Sequence, residues 1–151
     1  MDVFLKSLVE KGYFTAGEIR LVEPGKIREF LKSDLAKRMQ VAAKQKKLFK
    51  EQPFVLGIPA TEIYPEIDTE ETLMVQGIID AYFEEEDKLF IMDYKTDRLE
   101  DEKVLVGRYK KQLELYKRAL EQIMGKEVSQ VSMYSFGLGK EVVINSNGNR
   151  R

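Results

Sequence analysis

Residues 73–97 read LMVQGIIDAYFEEEDKLFIMDYKTD, two apolar runs of strand type around a short acidic stretch. The runs 73–85 and 88–97 predict a β-hairpin around residues 84–87, whose turn lacks the Asn-Gly or Asp-Gly pair that would set its type. The charges inside these strands need explaining, because burying a charge is costly unless something compensates it. Side chains alternate faces along a strand, so Asp93 and Lys95 project the same way. With the turn centred between Glu86 and Asp87, as a two- or four-residue loop requires, Asp80 falls opposite Asp93 and Ile78 opposite Lys95. Opposed residues share a face, with Cβ atoms roughly 5 Å apart. A three-residue loop would send Asp80 and Asp93 to opposite faces.

Two carboxylates facing each other among Ile78, Ile79, Ile91 and Met92 should repel and weaken the hairpin. Protonation of one, neutralisation by Lys95, or a divalent cation between them would each relieve the conflict. In the last case Asp80 and Asp93 are metal ligands, with the Tyr94 carbonyl as a further oxygen donor. The metal would lower the pKa of a bound water and neutralise charge on a phosphate oxygen. Lys95 would steer that water or stabilise the pentacovalent transition state as a point charge. Such a set suits phosphodiester hydrolysis. The plainer reading, an ordinary Asp-x-Lys ion pair on a strand, stays open at this point.

Composition limits the alternatives. The chain has 151 residues, 43% hydrophobic and 34% charged, which suits one globular domain with a real core. It has no cysteine, so disulfides, thiolate metal sites, thiol catalysis and cysteine-ligated iron–sulfur clusters are excluded. It has no histidine either, which rules out Ser-His-Asp catalysis and imidazole zinc sites. A site built from oxygen ligands alone favours Mg²⁺, Mn²⁺ or Ca²⁺. No run approaches the roughly 20 apolar residues of a membrane span, and MDVFLKSLVEKG does not read as a signal peptide. Charge is unevenly spread. Residues 26–50 carry nine basic against two acidic residues, 62–102 carry fifteen acidic against three basic, and 103–126 carry seven basic against two acidic. Basic flanks around an acidic centre suit a polyanion held beside a metal pocket, and equally suit solvated helix faces.

Around the hairpin, the spacing predicts a short helix over 2–11 and another over 16–23 capped by Thr15, then a break at Pro24-Gly25. Helices over 26–33 and 34–45 follow, with Ile27, Phe30, Leu31, Leu35, Met39 and Val41 as the inner face. Residues 49–65 read as strand, with Pro53 marking an edge or a bulge, and 66–72 as an acidic loop. The clearest helix runs over 101–125 and stops at Gly125, its apolar stripe being Val106, Tyr109, Leu113, Tyr116, Leu120 and Met124. Strands over 128–136 and 140–144 and a disordered tail complete the chain. This order gives an α/β (α+β) fold, a central mixed β-sheet flanked by α-helices. Gln112 and Tyr116 share a helix face near Tyr109. Gln112 can hydrogen-bond a metal-bound water or a carboxylate, and Tyr116 can contact a phosphate or stack on a base. On the alternative reading Tyr109 and Tyr116 are core aromatics and Gln112 is merely exposed.

The ordered set QGIIDAYFEEEDKLFIMDYKTD followed by YKKQLELY resembles the RecB-like PD-(D/E)XK nucleases, specifically the nuclease domain of helicase–nuclease subunits that process DNA ends for recombinational repair. The likeness runs from about residue 51 to the end, with a weaker match through the N-terminal helices. It implies a restriction-endonuclease-like fold and Mg²⁺ as cofactor, with Mn²⁺ a substitute. Asp80 fits the first acidic position, Asp93 and Lys95 the D-x-K pair, and Gln112 and Tyr116 the helical Q-x-x-x-Y element. Glu51 sits where relatives often have an acidic residue. The implied organisation is a helical segment 1–50 packed on a nuclease core 51–145, with a tail 146–151. The implied partners are single-stranded DNA ends, the helicase region of a parent chain and a second helicase–nuclease subunit, in a bacterial cytoplasm at the nucleoid. Relatives usually carry an upstream histidine near the metal and an attached helicase motor. This sequence has neither, as expected of a fragment that begins after that histidine and is weakly active or inactive alone. A non-catalytic DNA-binding or scaffolding module of the same fold is the competing expectation, and an unrelated acidic interaction domain is a third.

Overall fold

A computed structural model describes residues 22–98 and 101–144. The helices expected over 2–11 and 16–23 and the tail from residue 145 lie almost wholly outside them. The chain runs α1 (Pro24–Leu31), α2 (Asp34–Lys44), β1 (Leu48–Pro59), α3 (Ala60–Ile63), β2 (Thr72–Glu85), β3 (Lys88–Lys95), α4 (Glu102–Met124), β4 (Val128–Ser135) and β5 (Lys140–Ile144). The strands form one sheet in the order β1-β2-β3-β4-β5, every neighbouring pair antiparallel except the parallel pair β3–β4. That parallel pair follows from the α4 connection, since parallel strands need a long crossover.

Helices cover both faces. Leu105, Leu113, Tyr116, Ala119 and Leu120 of α4 pack with Phe54, Leu56, Ile58, Ile91 and Val131 on one face. On the other, Ile27, Phe30, Leu35, Ala36, Met39 and Ala42 of α1 and α2 pack with Ala81, Phe83, Met92 and Tyr134. Three sequence expectations are corrected here. Pro24-Gly25 opens α1 instead of breaking the chain before it, because proline at the first helical turn lacks only a donor that would be unpaired there. Val41 is 55% exposed, since the inner stripe of α2 uses the small residues Ala36 and Ala42 to bring the helix close to the sheet. The strand expected over 49–65 ends at Pro59, and Ala60–Ile63 forms a short helix instead. Pro53 does lie on an edge strand, β1.

The β2–β3 loop is two residues, Glu86 at φ 51° and Asp87 at φ 66°, the left-handed pair of a type I′ turn. An even loop is the condition for Asp80 and Asp93 to share a face. Arg38 pins α2 to this hairpin. Its guanidinium lies 5.2 Å from the Phe83 ring centroid and 4.7 Å from that of Phe90, and its Nε and Nη2 donate to Glu85. Arg38→Ala is expected to cost about 1–2 kcal/mol in urea unfolding at pH 7, combining lost cation–π contacts with a half-exposed bidentate ion pair. A cost under about 0.3 kcal/mol, the scale of a neutral surface change, would show that the clamp contributes nothing.

Candidate active site

The β2–β3 ladder pairs Glu85 with Lys88 through to Ala81 with Met92, the register that sets Asp80 against Asp93. Pairing stops there. Instead of a backbone carbonyl, the Asp80 side chain takes the next donor, its Oδ2 accepting from the Tyr94 N–H at 3.0 Å. The strands therefore part at the two aspartates, and the pairing of Ile78 with Lys95 expected from the register does not form; Ile78 pairs with Pro53 of β1. Side-chain alternation on β2 also slips here. Ile79 and Tyr82 both pack into the α4 cluster, while Ala81 and Phe83 pack into the α1/α2 cluster. The slip falls opposite Glu51, which is held at φ 53°, where a side chain is strained. Asp80 shares the α4 face with Asp93 and Lys95 through the β2–β3 register, and the slip brings Ile79 onto that face as well.

Asp93 is 3% exposed. Lys95 Nζ lies 2.7 Å from its Oδ2 as an ion pair, yet that oxygen, fully buried, has no well-aligned hydrogen-bond donor among the described residues. The Asp80 carboxylate lies close enough to Asp93 to act on its titration. Burial, then the charge of Asp80, push the Asp93 pKa up to about 7, against the opposing pull of Lys95. The Asp93–Lys95 ion pair of the plainer reading is present, and burial and Asp80 still hold the Asp93 carboxyl above its ordinary range. Two converging carboxylates with an orphaned buried oxygen fit a hard divalent cation, which commonly needs only one or two protein carboxylates. Among the described residues no group of three or more acidic side chains gathers.

A model of the PD-(D/E)XK nuclease superfamily matches residues 6–150 of this sequence. The chain belongs to that superfamily. The mixed five-stranded sheet with helices on both faces agrees with its restriction-endonuclease-like fold. An ATP-dependent helicase/nuclease subunit from Clostridium perfringens SM101 is 42% identical over 144 residues, covering 91% of this chain. The protein of the same name in Clostridium botulinum Hall is 38% identical over 144 residues, covering 93%. The chain spans 11% of the length of either relative. PD-(D/E)XK nucleases generally use divalent metal ions.

The other expected site residues of this nuclease domain separate into two groups. Tyr116 is buried on α4 against the Phe54 ring at 5.4 Å, so it is a core aromatic. It also faces the carboxylates: burial first, then Asp93 and Asp80, push its pKa up to about 12, so its hydroxyl stays a neutral donor. Gln112 is exposed on α4, and its side chain makes no hydrogen bond to a described residue. Tyr94 offers its N–H to Asp80, while its ring packs on the opposite face against Phe30 and Phe136. Glu51 is exposed beside Asp80 across the β1–β2 pair.

One part of the site has no reading in the sequence. Asp97, two residues past Lys95, accepts from Tyr109 Oη at 2.9 and 3.0 Å and from Arg108 Nη1 at 2.7 Å. The Tyr109 ring lies over the Lys95 ammonium at 3.7 Å from its centroid. Helical spacing puts Tyr109 near the Gln112–Tyr116 face, but nothing in that spacing signals a partner in the β3–α4 loop.

Proposed function

We propose that this chain is the nuclease module of a bacterial helicase–nuclease of the AddA type, a Mg²⁺-dependent deoxyribonuclease that hydrolyses phosphodiester bonds of single-stranded DNA ends. The convergence of Asp80 and Asp93 with Lys95 at the point where β2 and β3 part carries the reading. Asp80, Asp93 and the Tyr94 carbonyl would hold the metal. Bound there, Mg²⁺ supplies a Lewis acid that neutralises phosphate charge and acidifies a coordinated water. Lys95, on the same face as Asp93, would present a positive charge toward the phosphate oxygens that gain charge as the bond breaks. The Tyr116 hydroxyl, protonated at any working pH, donates toward the carboxylates or the phosphate, and exposed Gln112 contacts the incoming strand. The module would act on ends passed to it by a helicase region, in the cytoplasm, with a second helicase–nuclease polypeptide as partner. The names of its relatives support that setting. No helix among the described residues is long and apolar enough to cross a membrane.

The absence of histidine from the chain, with only two carboxylates converging there among the described residues, favours a second reading, a DNA-binding or scaffolding module of the same fold. Incubation with end-labelled single-stranded DNA in Mg²⁺, in Mn²⁺ and in chelator separates the two. Cleavage should depend on metal and fall by at least about 100-fold in Asp93→Ala and Lys95→Ala. Cleavage that survives Asp93→Ala sinks the proposed site. DNA binding in Ca²⁺ without cleavage in Mg²⁺ or Mn²⁺ supports the second reading.

A further inference from the structure

Lys95 has no rigid seat of its own. It is a flexible side chain at the C-terminal end of β3, 14% exposed, and its carboxylate partner Asp93 is offered to a metal in the proposed mechanism. Once Asp93 is engaged elsewhere, some other group must hold the ammonium in place. The only aromatic ring described over that ammonium belongs to Tyr109, at 3.7 Å. Tyr109 sits in the second turn of α4, partly buried against the core, and packing alone leaves its hydroxyl end free to shift.

Asp97 removes that freedom. Its carboxylate is approached by the Tyr109 hydroxyl, which donates to both oxygens at 2.9 and 3.0 Å, and by Arg108 Nη1 at 2.7 Å. Asp97 is itself fixed, because the preceding residues are tied to the β4–β5 turn. Phe136 N–H donates to the Lys95 carbonyl at 2.9 Å, and Gly137 passes so close to the Asp97 carbonyl that a Cβ there would lie 2.2 Å from it. The hydrogen bonds on Asp97 outweigh the burial that works against them, and its carboxyl titrates below the ordinary range, so the latch is ionised at neutral pH.

We propose that Asp97 is a positioning residue: with Arg108 it locks the Tyr109 ring over the Lys95 ammonium and thereby fixes the lysine for its role at the scissile phosphate. The ring face attracts the cation without neutralising it, which a second carboxylate at that place would do. Charge and location are thus preserved together. The inference rests on the proposed catalytic role of Lys95, and its test is chosen to stand apart from that role.

The test uses the whole chain with lysine side chains labelled by ¹³C, and the variants Asp97→Ala, Tyr109→Phe and Tyr109→Leu. In the wild type, the Lys95 ε-methylene signals should be displaced upfield by the ring current of Tyr109, an assignment that Tyr109→Leu verifies by abolishing the displacement. Asp97→Ala should return those signals most of the way to the ordinary lysine position, and Tyr109→Phe should do so partially, with thermal unfolding still cooperative in each. An undiminished displacement in Asp97→Ala overturns the latch whether or not the chain cleaves DNA. In the nuclease assay, Asp97→Ala should lower kcat about tenfold with DNA affinity in Ca²⁺ unchanged, the signature of lost positioning and not of lost binding. If the displacement responds as stated but Lys95→Ala cleaves normally, the latch stands and the catalytic reading of Lys95 falls.

Discussion

Asp93→Asn is expected to abolish cleavage and, in chelator at pH 8, to make the protein more stable. The pKa of Asp93 is raised from 3.8 to about 7 by burial and by Asp80. Below about pH 4 the acid is protonated folded or unfolded, and contributes nothing to the pH dependence of stability. Between about pH 4 and 7 the unfolded chain releases this proton while the folded chain retains it, so stability falls as pH rises. Above 7 the folded carboxylate ionises too and the penalty levels off, on the order of 4 kcal/mol. Asparagine removes the charge but leaves Lys95 without its partner and needs donors of its own. We therefore expect about half of that penalty to be recovered, roughly 2 kcal/mol, or a rise in Tm of about 4–8 °C. The gain should vanish at pH 4. Millimolar Mg²⁺ should raise the Tm of the wild type at pH 8 and leave that of the asparagine variant unchanged, since a ligand stabilises only the state that binds it. A variant less stable than the wild type at pH 8 in chelator would mean that Lys95 fully satisfies Asp93, and the metal cradle would lose its physical basis.

This conflict between stability and function was legible in the sequence because it depends on parity alone. An even turn centred between Glu86 and Asp87 is enough to oppose Asp80 to Asp93, and the observed two-residue turn is even although neither residue is glycine or asparagine. The long amphipathic α4, the edge position of Pro53 and the strand at 140–144 were readable for similar reasons, as each is a local pattern. Features that depend on how elements meet were not. Val41 fits a helical stripe as well as Ala42 does, and only the closeness of α2 to the sheet selects the alanine. Nothing around Glu51 announces a left-handed residue, yet the slip it accompanies brings Ile79 onto the α4 face beside Asp80. The register itself continues on paper to Ile78 and Lys95, whereas the real strands separate as soon as a side chain replaces a backbone acceptor. Asp97 gives no signal because its partners are eleven and twelve residues away on an element whose placement no periodicity reveals.

Gly137→Ala and Gly107→Ala should have opposite effects, although each adds a single methyl group. Gly107 lies in α4 with nothing within 4 Å of where a Cβ would stand, so alanine there gains helix propensity of about 1 kcal/mol. Gly137 is not among the residues with positive φ, so its requirement is for space and not for conformation. A Cβ at that position would stand 2.2 Å from the Asp97 carbonyl oxygen and 3.3 Å from its carbon. These are backbone atoms, and they cannot swing aside as a side-chain tip would. Relief requires the segment after β3 to move away from the β4–β5 turn, which strains the Phe136–Lys95 backbone hydrogen bond and shifts Asp97 from Arg108 and Tyr109. Overpacking of this kind costs about 1–3 kcal/mol, and the upper end or beyond is expected where backbone is the obstacle. The loss in urea unfolding should be accompanied by loss of the Lys95 ring-current displacement, and by a fall in metal-dependent cleavage at least as large as that in Asp97→Ala. If Gly137→Ala were as stable as wild type and kept Lys95 under the Tyr109 ring, the close packing of this turn against Asp97 could not be what seats the lysine.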